Sequence, residues 1–235
     1  MSISCEQENR DYQAKIAELQ VRDSLTGLYN RKHFIRLTTA EVKKERDGAV
    51  KALFYIRPDR FSTIDERFGP LASDAVLRAL GLLIEEKAGK RSAVARFGGN
   101  IFTALVVRRS FSEIRKLADE LVETIATSVY SAGKLSTSMT ASVGLVELSE
   151  CVTDATHAFA LAQTAARQAR EKGGNQLKVN RSLEVDENGV LQDAGWVRKI
   201  RTALEDGAFH LVFQPIASLM GAANNSYDVL VRTLN

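Results

Sequence analysis

The chain is poor in the residues that build metal centres and disulfide frameworks. It has two cysteines and three histidines. Cys5 and Cys151 have no neighbours at metal-ligand spacing and no framework partners. Both read as inert thiols, which fits a reducing, cytoplasmic compartment. His33, His157 and His210 share no acidic cluster and read as packing or solvent residues. No run of about 18 uncharged apolar residues occurs, which excludes a transmembrane helix. The opening MSISCEQENRDYQAK lacks the apolar stretch of a secretory signal. The net charge is only +3, from 32 basic and 29 acidic residues, and it is dispersed. A nucleic-acid partner would call for a clustered basic face, so none is expected. There is no Gly-Lys-Ser/Thr phosphate loop, and Ser142 in SVGL lacks the glycines of a nucleophile elbow.

What remains is an ordinary globular composition, 45% apolar and 26% charged. The length of 235 residues suits one domain and part of a second. Arg10 to Val21 reads as a polar helix with Tyr12, Ile16 and Leu19 on one stripe. It is either a surface helix or a short coiled-coil lead-in that pairs two chains. Asp23 caps a turn in which Gly27 supplies a free φ. Helices are expected at Arg31–Arg46, Phe61–Arg67, Leu71–Lys87, Phe111–Tyr130 and Asp154–Lys172. The last is rich in alanine, suited to close packing. Strands are expected at Ala49–Ile56, stopped by Pro58, and at Ser92–Phe97, Ile101–Val107, Ser138–Leu145 and Asn175–Val179. Gly98-Gly99 marks a tight hairpin reversal. This interleaving predicts an α/β (α+β) fold, a sheet covered by helices. Residues 181–195 read as a polar linker, Trp196 to Asp206 as a helix, and Leu211 to Ile216 as a fresh buried strand.

Five segments then occur in a telling order: DSLTGLYNR from Asp23, FSTIDERFGPLASDAVL from Phe61, ARFGGNIF from Ala95, SVGL from Ser142 and KGGNQL from Lys172. Together they resemble a GGDEF domain, the module that makes cyclic di-GMP from two GTP. The resemblance covers Asp23 to Val179 and implies a nucleotidyl-cyclase-like fold with a central mixed sheet flanked by helices. From Phe209, FHLVFQPIASLMG and YDVLVR resemble the start of an EAL domain, the phosphodiesterase or receptor module for cyclic di-GMP. An EAL domain is similar to a TIM barrel and needs about 250 residues, so only its first strands are expected here. The expected organisation is an N-terminal signalling helix at 1–22, a GGDEF domain at 23–180, a linker and helix at 181–208, and the N-terminal part of an EAL domain at 209–235. Such a sequence looks like a part of a longer tandem protein.

The reaction implied by the resemblance needs carboxylates. A 3′-hydroxyl attacks an α-phosphate and pyrophosphate leaves, so negative charge must be met by Mg²⁺, which prefers hard oxygen ligands. In the family, acids at the first strand's end and in the hairpin hold the metal, and the next hairpin acid helps the reaction. Aligned on these motifs, the three positions are Arg57, Asn100 and Ile101. The resemblance therefore implies a hairpin that keeps Gly98 and Gly99 and has no catalytic residues. It implies no metal or other cofactor, Mg²⁺ being expected only if the site is active. The family's inhibitory RxxD window falls on Gly89-Lys90-Arg91-Ser92, so product binding there is not expected.

The nucleotide-shaped remainder is Asp65 and Asp74 at guanine-reading positions and Arg170 in place of a phosphate-binding lysine, with Gly174 replacing an arginine. Asp65 and Asp74 also read as plain helix-surface acids. In the EAL-like segment, Gln214 and Arg232 match recognition positions, and Asp228 stands where the family has a metal-binding glutamate. That combination is similar to FimX-like cyclic di-GMP effectors of type IV pilus motility. The expected function is a catalytically inactive regulatory module that relays a signal or docks a protein partner beside a cyclic di-GMP receptor. A GTP-binding allosteric domain is the alternative, and an active diguanylate cyclase a further one. The expected ligands are GTP or cyclic di-GMP.

Overall fold

In the computed structural model, residues 20–44, 48–132, 135–149, 151–180, 204, 207–216 and 226–233 are described. The chain divides into two compact units, Met1–Arg181 and Ser182–Asn235. The expected helix over Arg10–Val21 lies outside the described residues except for Gln20 and Val21, which are helical. The expected linker 181–195 lies outside them entirely, and of the helix Trp196–Asp206 only Leu204 is described.

The first unit is built on a six-stranded sheet. Its strands are β1 (Tyr29–Asn30), β2 (Val50–Pro58), β3 (Ala93–Gly98), β4 (Ile101–Arg108), β7 (Ala141–Glu147) and β8 (Gln176–Asn180), in the order β1-β3-β4-β2-β7-β8. Both outer pairs, β1 with β3 and β7 with β8, are parallel, and the three central pairings are antiparallel. The sheet is therefore mixed, as expected. A separate small hairpin joins β5 (Tyr130–Ala132) to β6 (Leu135–Thr137).

Five helices cover the sheet among the described residues: α1 (Arg31–Lys43), α2 (Phe61–Phe68), α3 (Pro70–Ala88), α4 (Phe111–Thr127) and α5 (Ala155–Glu171). The alternation of β2 explains why both faces are covered. Ala52, Phe54 and Ile56 point to one side and meet Val76, Leu80 and Ile84 of α3 and Ile114, Leu121 and Ile125 of α4. Leu53 and Tyr55 point to the other and meet Phe34 of α1 and Ala158, Ala162 and Ala166 of α5. A strand with two buried faces reads as a continuous apolar run, which is why ALFYI carries no charged residue. Each fully buried Leu, Ile or Phe here contributes about 1.5–3 kcal/mol.

Helix starts follow capping chemistry. Asn30 accepts the His33 amide N–H at 2.9 Å, Ser110 that of Glu113 at 3.3 Å, and Asp154 that of His157 at 2.9 Å. Of the boundaries that differ from expectation, three have a visible physical cause. Strand β2 continues through Pro58, opposite Ala141. Its pairing with β4 has already ended at Ile56–Phe102, so the missing proline N–H sits where only one neighbour remains. Helix α4 stops at Thr127 rather than Tyr130, because Ser128 caps it through the Thr124 carbonyl and Tyr130 opens β5. The hairpin reverses at Gly99-Asn100, one residue later than expected, because Gly98 still pairs with Ile101. Gly99 has φ +53, the left-handed region that glycine suits at the first central position.

The second unit contains an antiparallel ribbon, β9 (Phe209–Ile216) with β10 (Ser226–Thr233). Leu211, Phe213 and Val229 on it are exposed. The strand expected at Leu211 is thus present and begins two residues earlier, but in the described residues it is not buried.

Candidate functional site

The turn at DSLTG is held by its own side chains. Asp23 accepts from the Thr26 N–H at 2.9 Å and from its hydroxyl at 2.8 Å. The Arg96 guanidinium lies 3.4 Å from the Asp23 carboxylate, and its Nε donates to the Gly99 carbonyl at 2.8 Å. One arginine on β3 therefore ties the first turn of the domain to the hairpin tip.

The hairpin tip lies beside the end of β2. The last β2–β4 pair is Ile56 with Phe102, so Arg57 and Ile101 are the next residues on either side of the pairing. Arg57 lies opposite Ser142 of β7. The fold thus brings Arg57, Asn100, Ile101, Gly98 and Gly99 to one sheet edge. Arg170 lies in the last turn of α5, on the face of the sheet that α5 covers, and is exposed. Asp65 and Asp74 lie on α2 and α3, across the sheet from α5. The Asp65 carboxylate accepts from the Ser73 hydroxyl at 3.0 Å. Asp74 is half-buried and makes no side-chain hydrogen bond or ion pair among the described residues.

Asp59 was outside the residues expected to carry a ligand, and it is the most engaged side chain of the site. One carboxylate oxygen accepts from Ser142 Oγ at 2.7 Å. The other accepts from Thr140 Oγ1 at 2.8 Å and from the Asn175 N–H at 2.9 Å. The Asp59 amide N–H donates to the Thr140 carbonyl at 2.8 Å. Gly174 lies so close that a Cβ there would stand 2.8 Å from an Asp59 oxygen, and its φ is +74. Glycine at 174 is therefore dictated by the approach of Asp59 as well as by backbone conformation. The signal in the sequence was the spacing of Asp59 two residues after Arg57, at the end of an apolar strand.

Mg²⁺ wants several anionic oxygens in near-octahedral array. The edge brings a guanidinium, an amide and an aliphatic side chain from Arg57, Asn100 and Ile101, and one carboxylate, Asp59, already engaged by three donors. Among the described residues, no three His, Cys, Asp or Glu side chains gather to hold a metal ion. These residues do not fit a divalent ion.

At the far end of the sheet, Gly89 caps α3 and Ser92 Oγ donates to the Ala88 carbonyl at 2.7 Å. Lys90, Arg91, Arg108 and Arg109 border a cavity of about 660 Å³ there. In the second unit, Gln214 is exposed and lies directly opposite Asp228, while Arg232 lies opposite His210. No helix among the described residues is long and apolar enough to cross a membrane.

Residues 20–176 match the family described as diguanylate cyclase, GGDEF domain. The diguanylate cyclase DgcP of Pseudomonas aeruginosa is 31% identical over 163 residues, 67% of this chain and 23% of that protein. The FimX GGDEF domain of Pseudomonas aeruginosa superposes with a TM-score of 0.63 at 29% identity, over 67% of this chain and 98% of that one. The coiled coil and GGDEF domain of DgcB from Caulobacter crescentus, solved in complex with c-di-GMP, gives a TM-score of 0.68 at 20% identity, over 76% of this chain and 95% of that one, a likeness of fold. The chain spans about a third or less of the length of the curated relatives it matches.

Proposed function

We propose that this chain, which belongs to the GGDEF diguanylate cyclase family, is a non-catalytic module of a cyclic di-GMP signalling protein. It relays a conformational signal or docks a protein partner beside an EAL-type receptor segment. The observation that carries this reading is Arg57, Asn100 and Ile101 together at one sheet edge. Condensing two GTP needs charge neutralisation at an α-phosphate and a group to take the 3′-hydroxyl proton. A guanidinium at the strand end repels the metal that would do the first. Isoleucine can do neither. The receptor half of the proposal rests on the ribbon, where Gln214 lies opposite Asp228.

Incubating the chain with GTP and Mg²⁺ and separating the nucleotides by chromatography tests the proposal. No cyclic di-GMP is expected; its formation overturns the reading. The triple substitution Arg57→Asp, Asn100→Asp, Ile101→Glu is the companion experiment. Product appearing only in that variant would locate the defect at these three positions.

A second reading, GTP binding without turnover, is favoured by Asp74. A half-buried carboxylate with no partner among the described residues is an acceptor open to the N–H groups of a guanine edge. Calorimetric titration of GTP is expected to show binding that Asp74→Ala weakens about tenfold, the loss of one hydrogen bond to a charged group. No binding at millimolar GTP would remove this reading and leave the first intact.

A further inference from the structure

We infer that the groove between α1 and the outer edge of β3 docks an acidic, extended peptide segment of a partner protein. This names the partner for the docking half of the proposed function, and it rests on that reading. The groove encloses about 470 Å³. Its apolar surface comes from Tyr29, Leu37, Ala93, Leu105 and Val107. It exists because β1 is so short. Strand β1 pairs with β3 only at Ala95 and Arg96, so on that side Ala93 and Val94 have no strand beside them among the described residues. An open strand edge next to a side-chain pocket is the arrangement that accepts an added strand. The backbone supplies affinity and the pocket takes a side chain. The cavity of about 660 Å³ is a different place, bordered by Ala88 of α3 and Glu113 of α4. Leu105 of the groove belongs instead to the cluster beneath α1 and α5.

The charge of the groove selects the partner. Lys90 and Arg91 line it and are exposed, and neither has a carboxylate partner among the described residues. Lys51 also lines it, with its side chain 9% exposed and its Nζ 3.1 Å from Glu41 Oε2. Lys44 pairs with the same carboxylate. Burial alone would raise the Glu41 carboxyl, yet Lys44 and Lys51 together hold it below its ordinary pKa. Among the described residues that line the groove, Glu41 is the only acid, set against Lys44, Lys51, Lys90 and Arg91. A buried ammonium that shares its one carboxylate is incompletely paired, and a further carboxylate relieves it. Cations around an apolar surface call for acids around an apolar side chain. In an added strand, residues two apart share a face. The fitting segment therefore puts Leu, Ile or Phe into the groove and carries Asp or Glu two residues to either side.

The probe is a random peptide library displayed on phage and selected against the full chain. Enriched sequences are expected to carry Leu, Ile or Phe with Asp or Glu two residues away. A synthetic peptide of that consensus is then titrated by calorimetry. Lys90→Glu and Arg91→Glu, at exposed positions that do not hold the fold, are each expected to weaken binding about tenfold. Lys51→Met is expected to do the same, with circular dichroism to show that it folds. Arg109→Glu, in the other cavity, is expected to change nothing. Binding should fall several-fold between about 0.1 M and 1 M salt. With peptide bound, amide exchange is expected to slow within residues 92–94. No enrichment, enriched sequences without acids, equal loss in Arg109→Glu, or slowed exchange only elsewhere each overturns the inference. Equal competition by single-stranded DNA overturns it in favour of a nucleic acid, and a dimer of the chain that Arg91→Glu breaks overturns it in favour of a second copy. The nucleotide assay is separate: cyclic di-GMP production would sink the non-catalytic reading, whereas a failed selection removes the groove alone.

Discussion

Gly144→Ala is expected to destabilise the domain by about 3 kcal/mol or more, at the upper end of overpacking costs. The added Cβ would lie 2.0 Å from the Ala162 carbonyl oxygen and 2.5 Å from the Ala166 nitrogen. Both are backbone atoms of α5, so no side-chain rotation can make room. The helix must move away from the sheet by more than an ångström. It cannot do so locally, because Ala158, Ala162, Ala165, Ala166 and Ala169 are all buried. These alanines exist because the helix backbone lies so close to β7 that larger side chains do not fit. Gly144 also lies opposite Tyr55 of β2 and Lys178 of β8, so shifting β7 instead would disturb two ladders. For a domain of this size the loss corresponds to a drop in melting temperature of about 6–12 °C. Thermal unfolding followed by circular dichroism measures it. A drop under about 2 °C would mean that α5 rides on the sheet more loosely than its alanines indicate. Ala162→Gly is the discriminating control: it removes only one methyl and should not relieve the clash, since the obstacle is the carbonyl.

This contact shows how far the fold was legible. The alanine run announced close packing, and SVGL announced a strand, but neither names the other as partner. Only the crossing of α5 over β7 does so. The central strands and the five helices followed from hydrophobic period and caps. In the first unit the elements that escaped were short: β1 with two residues, β5 and β6 with three each. Segments of that length have no periodicity and exist only because a longer neighbour pairs with them. Tyr130 shows the consequence. The expected helix ran through it, and nothing in the sequence said that Ser128 would end that helix first.

At the site the residue types were readable and their circumstances were not. Arg57, Asn100 and Ile101 stand out against a chemistry that needs acids, and their placement at one edge depends only on β2 and the hairpin. Tyr55 read as one more apolar member of a buried strand. That its ring meets Phe97 of β3 edge-on depends on tertiary packing. Gly174 read as the loss of a phosphate contact. In the structure it is also the space that the Asp59 carboxylate occupies, so restoring an arginine there would displace the group that holds the loop.

Asp59→Ala is accordingly expected to loosen the whole edge, with a loss of about 3 kcal/mol. Three donors lose their acceptor at once: the Thr140 and Ser142 hydroxyls and the Asn175 N–H. Ser142 is fully buried, so its hydroxyl cannot turn to water. An abandoned donor of this kind costs about 1–3 kcal/mol, and the exposed ones less. The backbone amplifies the effect. Arg60 and Asn175 are the two described non-glycine residues with positive φ, at 51° and 49°. One follows Asp59 in the chain and the other donates to it, so the carboxylate helps hold two sparsely populated conformations. Without it, the turn from α5 into β8 should open before the core does. Amide exchange is then expected to rise at Gly173 to Gln176 while β2 and β4 stay protected, with the melting temperature lowered as well. Asp59→Asn keeps the shape and one acceptor oxygen and should recover part of both. If Asp59→Ala instead leaves exchange at 173–176 unchanged, the carboxylate does not hold this loop, and its position beside Arg57 would need a ligand to explain it.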